Sequence, residues 1–178
     1  MLRLWWLGVS AMTVVLLGGC QSFIGAFTVE DNLEAARRAG PPAEAFNAAL
    51  QQEYITLSEA ELDEYDFEHA ETFALKALAA GNGESVPPED PSDWGLTREQ
   101  ASNFYGRRAQ LLLALDNAGR MKAPGDAARA QAMFDCWIQE EEFFNEGHQL
   151  EDIAACRDAF EAALARVQQI IAGPQNGG

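Results

Sequence analysis

Three thiols and two imidazoles are the side chains of this chain best suited to covalent or metal chemistry. Cys136 and Cys156 lie twenty residues apart, on the apolar faces of two helical patterns that a short turn joins. Antiparallel neighbouring helices bring such positions together, so the sequence predicts a disulfide between these two cysteines. In the chain-entropy account, a loop of this length contributes about 3 kcal/mol to stability.

A metal site is the alternative use of these groups. Structural zinc sites take four Cys or His ligands at short spacings, and neither Cys-x-x-Cys nor His-x-x-x-His occurs in the sequence. The two histidines are His69 and His148, and His69 is expected to be a packing or surface residue beside a helix turn. We therefore expect no metal site and no cofactor.

Carboxylates are concentrated in two runs, 59–68 and 140–142. Close carboxylates can bind Ca²⁺ or share a proton, but the first run lacks the EF-hand spacing, and the second points in several directions along a helix. Both runs are typical of solvated helix faces. No nucleophile elbow, metalloprotease, phosphate-loop or dinucleotide motif occurs, so we expect that the protein is not an enzyme.

Residues 1–19 have the pattern of a secretory signal, with Arg3 before an uncharged apolar run and small residues at its end. The run is shorter than the roughly 20 apolar residues that a membrane-spanning helix requires. Its last residues, Leu17-Gly18-Gly19-Cys20, resemble the bacterial lipobox, although that family more often has Ala or Ser at position 18. An ordinary signal or an uncleaved anchor with an incidental cysteine is the alternative.

The lipobox resemblance implies that Cys20 becomes the first mature residue and carries diacylglycerol and palmitate-type chains. Each buried CH₂ adds about 0.8 kcal/mol, so two or three chains hold a protein on a membrane effectively permanently. Gln21 rather than Asp follows the cysteine. By resemblance to the enterobacterial sorting rule, this favours the outer membrane, with the chain facing the periplasm.

The composition limits the partners and the fold class. The chain has 28 acidic against 12 basic side chains, a net charge of −16, which argues against DNA, RNA and anionic headgroups as partners. Alanine is abundant, β-branched residues are sparse after Thr28, and alternating apolar and polar runs are absent. These features predict an all-α protein.

Helical spacing of apolar residues predicts a bundle of about five helices in a domain over 43–172. Residues 20–42 are predicted to be a tether after the lipidated cysteine, and 173–178 a flexible tail. The first two helices resemble a single tetratricopeptide-type hairpin, with a break at residues 64–66. Glu61 departs from that pattern because the family usually has an aromatic residue at this position.

The longest break in the helical pattern is the proline loop, residues 81–96, which contains three prolines and Trp94. Loops longer than about 12 residues are uncommon in compact domains and are often functional or flexible. We expect Trp94 to pin the loop to the helices, because a large ring usually becomes buried. An exposed recognition aromatic is the alternative. Thr97 with Gln100 predicts a capping box at the start of the next helix.

Residues from about 50 to 167 resemble the helical amino-terminal region of alphaproteobacterial OmpA-family lipoproteins. The motifs that carry the resemblance are Glu64-Tyr65-Asp66-Phe67-x-x-Ala70, Pro87-Pro88-Glu89-Asp90-Pro91-x-Asp93-Trp94, Phe134-Asp135-Cys136-Trp137 and Asp152-Ile153-Ala154-x-Cys156-Arg157. In that family a peptidoglycan-binding domain follows, and this sequence has no counterpart to its wall-binding residues. The resemblance therefore implies an envelope setting and the helical module, without wall binding.

Together these features predict a periplasm-facing lipoprotein with a structural or interaction-adaptor role beside OmpA-like or cell-wall-associated proteins. The expected partner surface lies around Tyr65, Trp94, Glu61 and Glu64. A protein that binds a small ligand or a cation through the carboxylates of 59–68 is the alternative from another functional class.

Overall fold

The computed structural model of the chain describes residues 20–144 and 150–173, with side chains over 28–142 and 150–173. The predicted signal, His148 and the end of the predicted tail lie outside the described residues. Six helices of fifteen residues or more occupy the described part, and no strand occurs there. Their bounds are α1 Cys20–Ala39, α2 Ala45–Asp63, α3 Phe67–Gly81, α4 Arg98–Ala114, α5 Pro124–Phe144 and α6 Leu150–Ala172. The prediction of an all-α bundle is confirmed.

The helix α5 forms the centre of the bundle. Every residue from Ala130 to Glu140 is buried, so three turns of this helix are covered on all sides. Its neighbours are α2, α4 and α6. Because no face of this segment meets water, its polar side chains must find partners inside the protein.

Residues 20–42 differ from the predicted tether, because α1 occupies most of this segment and packs against α3. Val29, Leu33 and Ala36 are at most 3% exposed, at the spacing of one helix face. The helical domain therefore begins within residues 20–39 and not at residue 43. The sequence contains this spacing, but three small or medium apolar residues give a weak signal beside the nine polar or charged residues of α1.

The turn between α2 and α3 is tight and places the Asp66 side chain beside that of His69. Tyr65 has a positive φ of 65°, which is uncommon for a residue with a Cβ. The Asp66 N–H donates to the Glu61 carbonyl at 2.9 Å, and Asp66 is the N-cap of α3, where its side chain accepts from His69 N–H. This hairpin is helical as predicted, while its tetratricopeptide likeness stays a prediction.

The chain after α4 is not a regular α-helix. A π-helical turn, Leu115–Gly119, follows Ala114, and Ala118 has a positive φ of 71°. Gly119 fits there because a Cβ would lie 2.4 Å from the Ala114 carbonyl oxygen. The predicted capping box at the other end of α4 is confirmed, since Thr97 and Gln100 exchange both expected hydrogen bonds.

The predicted disulfide is confirmed. Cys136 on α5 and Cys156 on α6 are bonded, with a Cα–Cα distance of 5.8 Å. Both residues are buried, at 5% and 8% exposure. The bond therefore joins the central helix to the last helix from within the core.

Candidate functional site

The first polar cluster in the interior is centred on Asp135 of α5, and we call it the Asp135 cluster (Tyr54, Lys76, Glu89, Gln131 and Asp135). The Asp135 side chain is fully buried and accepts three hydrogen bonds. Tyr54 O–H donates at 2.6 Å, Lys76 Nζ at 2.7 Å and the Glu89 backbone N–H at 2.8 Å. These bonds join α2, α3 and the proline loop to the central helix.

The Asp135 cluster contains one ammonium and two carboxylates. Lys76 Nζ also lies 2.5 Å from Glu89 Oε1, so one ammonium is placed between two carboxylates. Burial alone would lower the pKa of Lys76, but the charges of Asp135 and Glu89 outweigh burial and raise it. Burial raises the pKa of Asp135, and the Lys76 charge opposes that change. Burial and the Asp135 charge together raise the pKa of Tyr54, which stays a hydrogen-bond donor.

The proline loop is held to the helices by its backbone carbonyls. Arg108 of α4 donates to the carbonyls of Glu89 at 2.7 Å and Pro88 at 3.2 Å. Gln131 of α5 donates to the Val86 carbonyl at 2.8 Å. Trp94 is half-buried, and its Nε1 donates to Glu89 Oε2 at 3.2 Å. A groove of about 400 Å³ remains between α3 and the loop, lined by residues such as Leu75, Ala79 and Pro88.

The second polar cluster lies where α2, α3 and α5 meet, and we call it the Glu61 cluster (Glu61, Asp66, His69, Gln139 and Glu140). Glu61 and Glu140 are only 6% and 5% exposed. Gln139 Nε2 lies 3.5 Å from Glu61 Oε2, and His69 Nδ1 lies 2.9 Å from Asp66 Oδ2. The His69 ring stacks on the Trp94 ring with 5.8 Å between the ring centroids, and this contact connects the cluster to the proline loop.

Two carboxyl groups of the Glu61 cluster, those of Glu61 and Glu140, have raised pKa values. Burial raises the pKa of Glu61 to about 8, with added repulsion from Glu140, Asp66, Glu64 and Asp152. Burial raises the pKa of Glu140 to about 7, with added repulsion from Asp152, Glu64 and Asp66. Two buried carboxyl groups therefore hold protons near neutral pH when no cation is bound.

The raised pKa values predict a stability that falls as pH increases. Both folded-state pKa values exceed the ordinary 4.5 of a glutamate, so the folded chain binds more protons than the unfolded chain between about pH 4.5 and 8. The free energy of unfolding should therefore decrease across this window. Glu61→Gln should make the free energy of unfolding depend less on pH, and should raise it at pH 8 by about 1–2 kcal/mol. Urea denaturation between pH 5 and 8, with a chelator present, measures both effects.

The control for this prediction is Glu68→Gln, which removes the same charge from an exposed position on the first turn of α3. It should leave the slope of stability against pH unchanged. A Glu61→Gln profile parallel to that of the unsubstituted chain would contradict the prediction.

The structure separates the residues of the predicted partner surface. Tyr65 is 79% exposed and Glu64 is exposed, so both are on the surface as expected. Glu61 instead lies in the interior, because the turn at residues 64–66 folds α3 back over its side chain. Trp94 is half-buried against His69, in the position expected of a residue that pins the loop. Cys20 is the first residue of α1.

Sequence reasoning missed the members of the two clusters. Asp135 lies 59 residues from Lys76 and 46 residues from Glu89 along the chain, and no local spacing indicates these contacts. A local signal did exist for Asp66 and His69, because positions i and i+3 at a helix start lie on one face. Glu61 departs from the hairpin pattern, which usually has an aromatic residue at this position, but that departure alone does not indicate that Glu61 is buried.

No family model, no curated protein and no solved structure matches this chain. Among the helices that the structure describes, none combines the length and the apolarity needed to cross a bilayer.

Proposed function

We propose that this chain is a lipoprotein of the outer membrane that faces the periplasm and acts as a structural element or interaction adaptor in the cell envelope. The use of its three cysteines is the observation that carries the proposal. Cys136 and Cys156 are bonded in the core, and disulfides persist in oxidising compartments such as the periplasm. The third cysteine, Cys20, follows the signal-like segment within the lipobox-like run.

The proposed partners are envelope proteins such as OmpA-like or cell-wall-associated proteins, as the resemblance to OmpA-family lipoproteins implies. The strongly acidic composition supports protein partners over nucleic acids. A non-catalytic role fits the two buried clusters, because each ties several elements of the bundle together.

The proposed partner surface comprises Tyr65, Glu64 and the exposed part of Trp94. Tyr65 supports this choice because its ring projects from a tight turn and is 79% exposed. Tyrosine and tryptophan are enriched among the residues that dominate binding energy at interfaces. An exposed aromatic side chain on a well-held turn also loses little conformational freedom on binding.

Lipidation of Cys20 predicts the location of the protein. The unsubstituted chain should fractionate with the outer membrane, whereas Cys20→Ala should shift nearly all of the protein away from that fraction, because the acyl chains are lost. Metabolic labelling with an alkyne fatty acid should mark the first protein and not the second. Ser22→Ala is the control and should behave as the unsubstituted chain does. Labelled Cys20→Ala protein in the outer membrane would contradict the proposal.

The adaptor role predicts that crosslinking from intact cells depends on Tyr65. Tyr65→Ala should reduce the yield of the main crosslinked partners several-fold, since a central aromatic commonly contributes about 2 kcal/mol or more to an interface. Tyr105→Ala is a matched control, because Tyr105 is also an exposed tyrosine, at 48%, and it lies on α4, away from the turn that carries Tyr65. Equal partner yields from the two variants would show that this surface is wrong. Deleting the proline loop is a poorer test, because buried Val86 and Pro91 would be lost with it.

A further inference from the structure

Three metal-ligating side chains converge at the turn between α2 and α3. One carboxylate oxygen each of Glu61 and Asp66 and one ring nitrogen of His69 all lie within 4.8 Å of one another. Two ligands of a zinc-class ion, each about 2.1 Å from it, lie roughly 3–3.5 Å apart. Small side-chain movements would therefore bring all three groups to one ion.

A second observation, on the central helix, is independent of this convergence. Glu140 is 5% exposed and Gln139 is 2% exposed, yet Glu140 Oε2 and Gln139 Oε1 accept no hydrogen bond from any residue that the structure describes. Buried acceptors without partners are uncommon, because such an atom loses the hydrogen bonds that water would supply. The other such oxygens among the described residues are single ones on Gln51, Glu71 and Gln131. The amide of Gln139 contacts Glu61, and Glu140 is close enough to Asp66 for mutual repulsion. The side chains that carry the two unpartnered oxygens thus lie near the three converging groups.

We propose that Glu61, Asp66 and His69, with the Glu140 carboxyl nearby, form a binding site for a divalent transition-metal ion such as Zn²⁺ or Mn²⁺. Carboxylates are acceptors only, so a cation is the partner that satisfies several of them at once. The His69 imidazole favours Zn²⁺ or Mn²⁺ over Ca²⁺, because Ca²⁺ takes oxygen ligands whereas Zn²⁺ and Mn²⁺ sites accept nitrogen beside oxygen. This site does not depend on the membrane anchor or on the adaptor role.

The bound ion would hold α2, α3 and α5 together at one end of the bundle. It would also fix the His69 ring on which Trp94 stacks, and through Trp94 the proline loop. Metal binding should therefore be visible in the tryptophan fluorescence and in the thermal stability, besides the heat of binding.

The test is calorimetric titration of the full chain in detergent, without a histidine tag and after removal of metals with a chelator. ZnCl₂ and MnCl₂ are the probes, and CaCl₂ and MgCl₂ are the comparison ions. We expect saturable binding of one Zn²⁺ with micromolar or tighter affinity, a raised melting temperature, and weaker binding of Ca²⁺ by at least about tenfold. Glu61→Gln and His69→Gln should each weaken Zn²⁺ binding by at least about tenfold.

Glu68→Gln is the control, because it removes an exposed carboxylate one residue from His69 and should leave Zn²⁺ binding unchanged. Circular dichroism verifies that each variant is folded. The absence of saturable Zn²⁺ and Mn²⁺ binding would overturn the proposal. So would Zn²⁺ affinities that are equal in the unsubstituted chain, Glu61→Gln and His69→Gln, or Ca²⁺ binding as tight as Zn²⁺ binding.

Discussion

Asp135→Ala is expected to lower the free energy of unfolding by about 3–5 kcal/mol, because it removes one of the two carboxylates that flank a largely buried ammonium and the acceptor of two further donors. Lys76 is 16% exposed and would retain only Glu89 as a partner. Tyr54 O–H and the Glu89 N–H would lose their acceptor in the same step. Urea denaturation followed by circular dichroism measures the loss.

A double-mutant cycle separates the charge from the hydrogen bonds of Asp135. Asp135→Asn keeps an acceptor and removes the charge, so it should destabilise less than Asp135→Ala. Combined with Lys76→Met, it should cost less than the sum of the two single substitutions, with a coupling energy of about 1–3 kcal/mol. Additive effects would contradict the contact. Asp116→Ala, at a 70% exposed aspartate, is the control and should stay within about 0.5 kcal/mol.

Replacing both Cys136 and Cys156 by Ala is expected to lower the free energy of unfolding by about 3 kcal/mol. The disulfide constrains the unfolded chain over twenty residues, and it joins the central helix to α6. The measurement is urea denaturation with and without a reductant. The reductant should shift the midpoint of the unsubstituted chain and leave that of the double variant unchanged.

The matched control for the disulfide is Cys20→Ala, which removes the third cysteine and keeps the bonded pair. It should retain the full response to reductant. If reduction leaves the midpoint of the unsubstituted chain unchanged, the bond contributes nothing to stability. Free thiols at both positions in periplasmic protein, detected by mass spectrometry, would show that the bond does not form.

Features that are local in sequence were the predictable ones. The capping box needs two residues three positions apart, and the disulfide needed only two inward-facing cysteines on neighbouring helices. The ends of α3 and α6 also followed from residue type, since Gly83 and Gly173 adopt a positive φ just after these helices at low steric cost. In these cases the physical cause lies within one or two turns of chain.

Features that depend on the assembled core were not predictable in the same way. The segment Ala130 to Glu140 is buried on all sides, so an amphipathic pattern could not identify which of its polar residues lie inside. Glu140 therefore looked like a solvated residue, and no local pattern marked Asp135 as buried. The hydrogen-bond partners of Asp135 come from α2, α3 and the proline loop, and only the packing of those elements brings them within hydrogen-bond distance.

The start of α1 also sets how far the domain can extend from a membrane. Val29, the first residue shown to be buried, lies nine positions after Cys20, or about 14 Å along a helix. If Cys20 carries acyl chains, α1 holds the bundle a short distance above the leaflet, because the same helix runs from Cys20 into the bundle. A partner must then come to the membrane surface or reside on it, and sharing one leaflet would raise the effective concentration of both proteins.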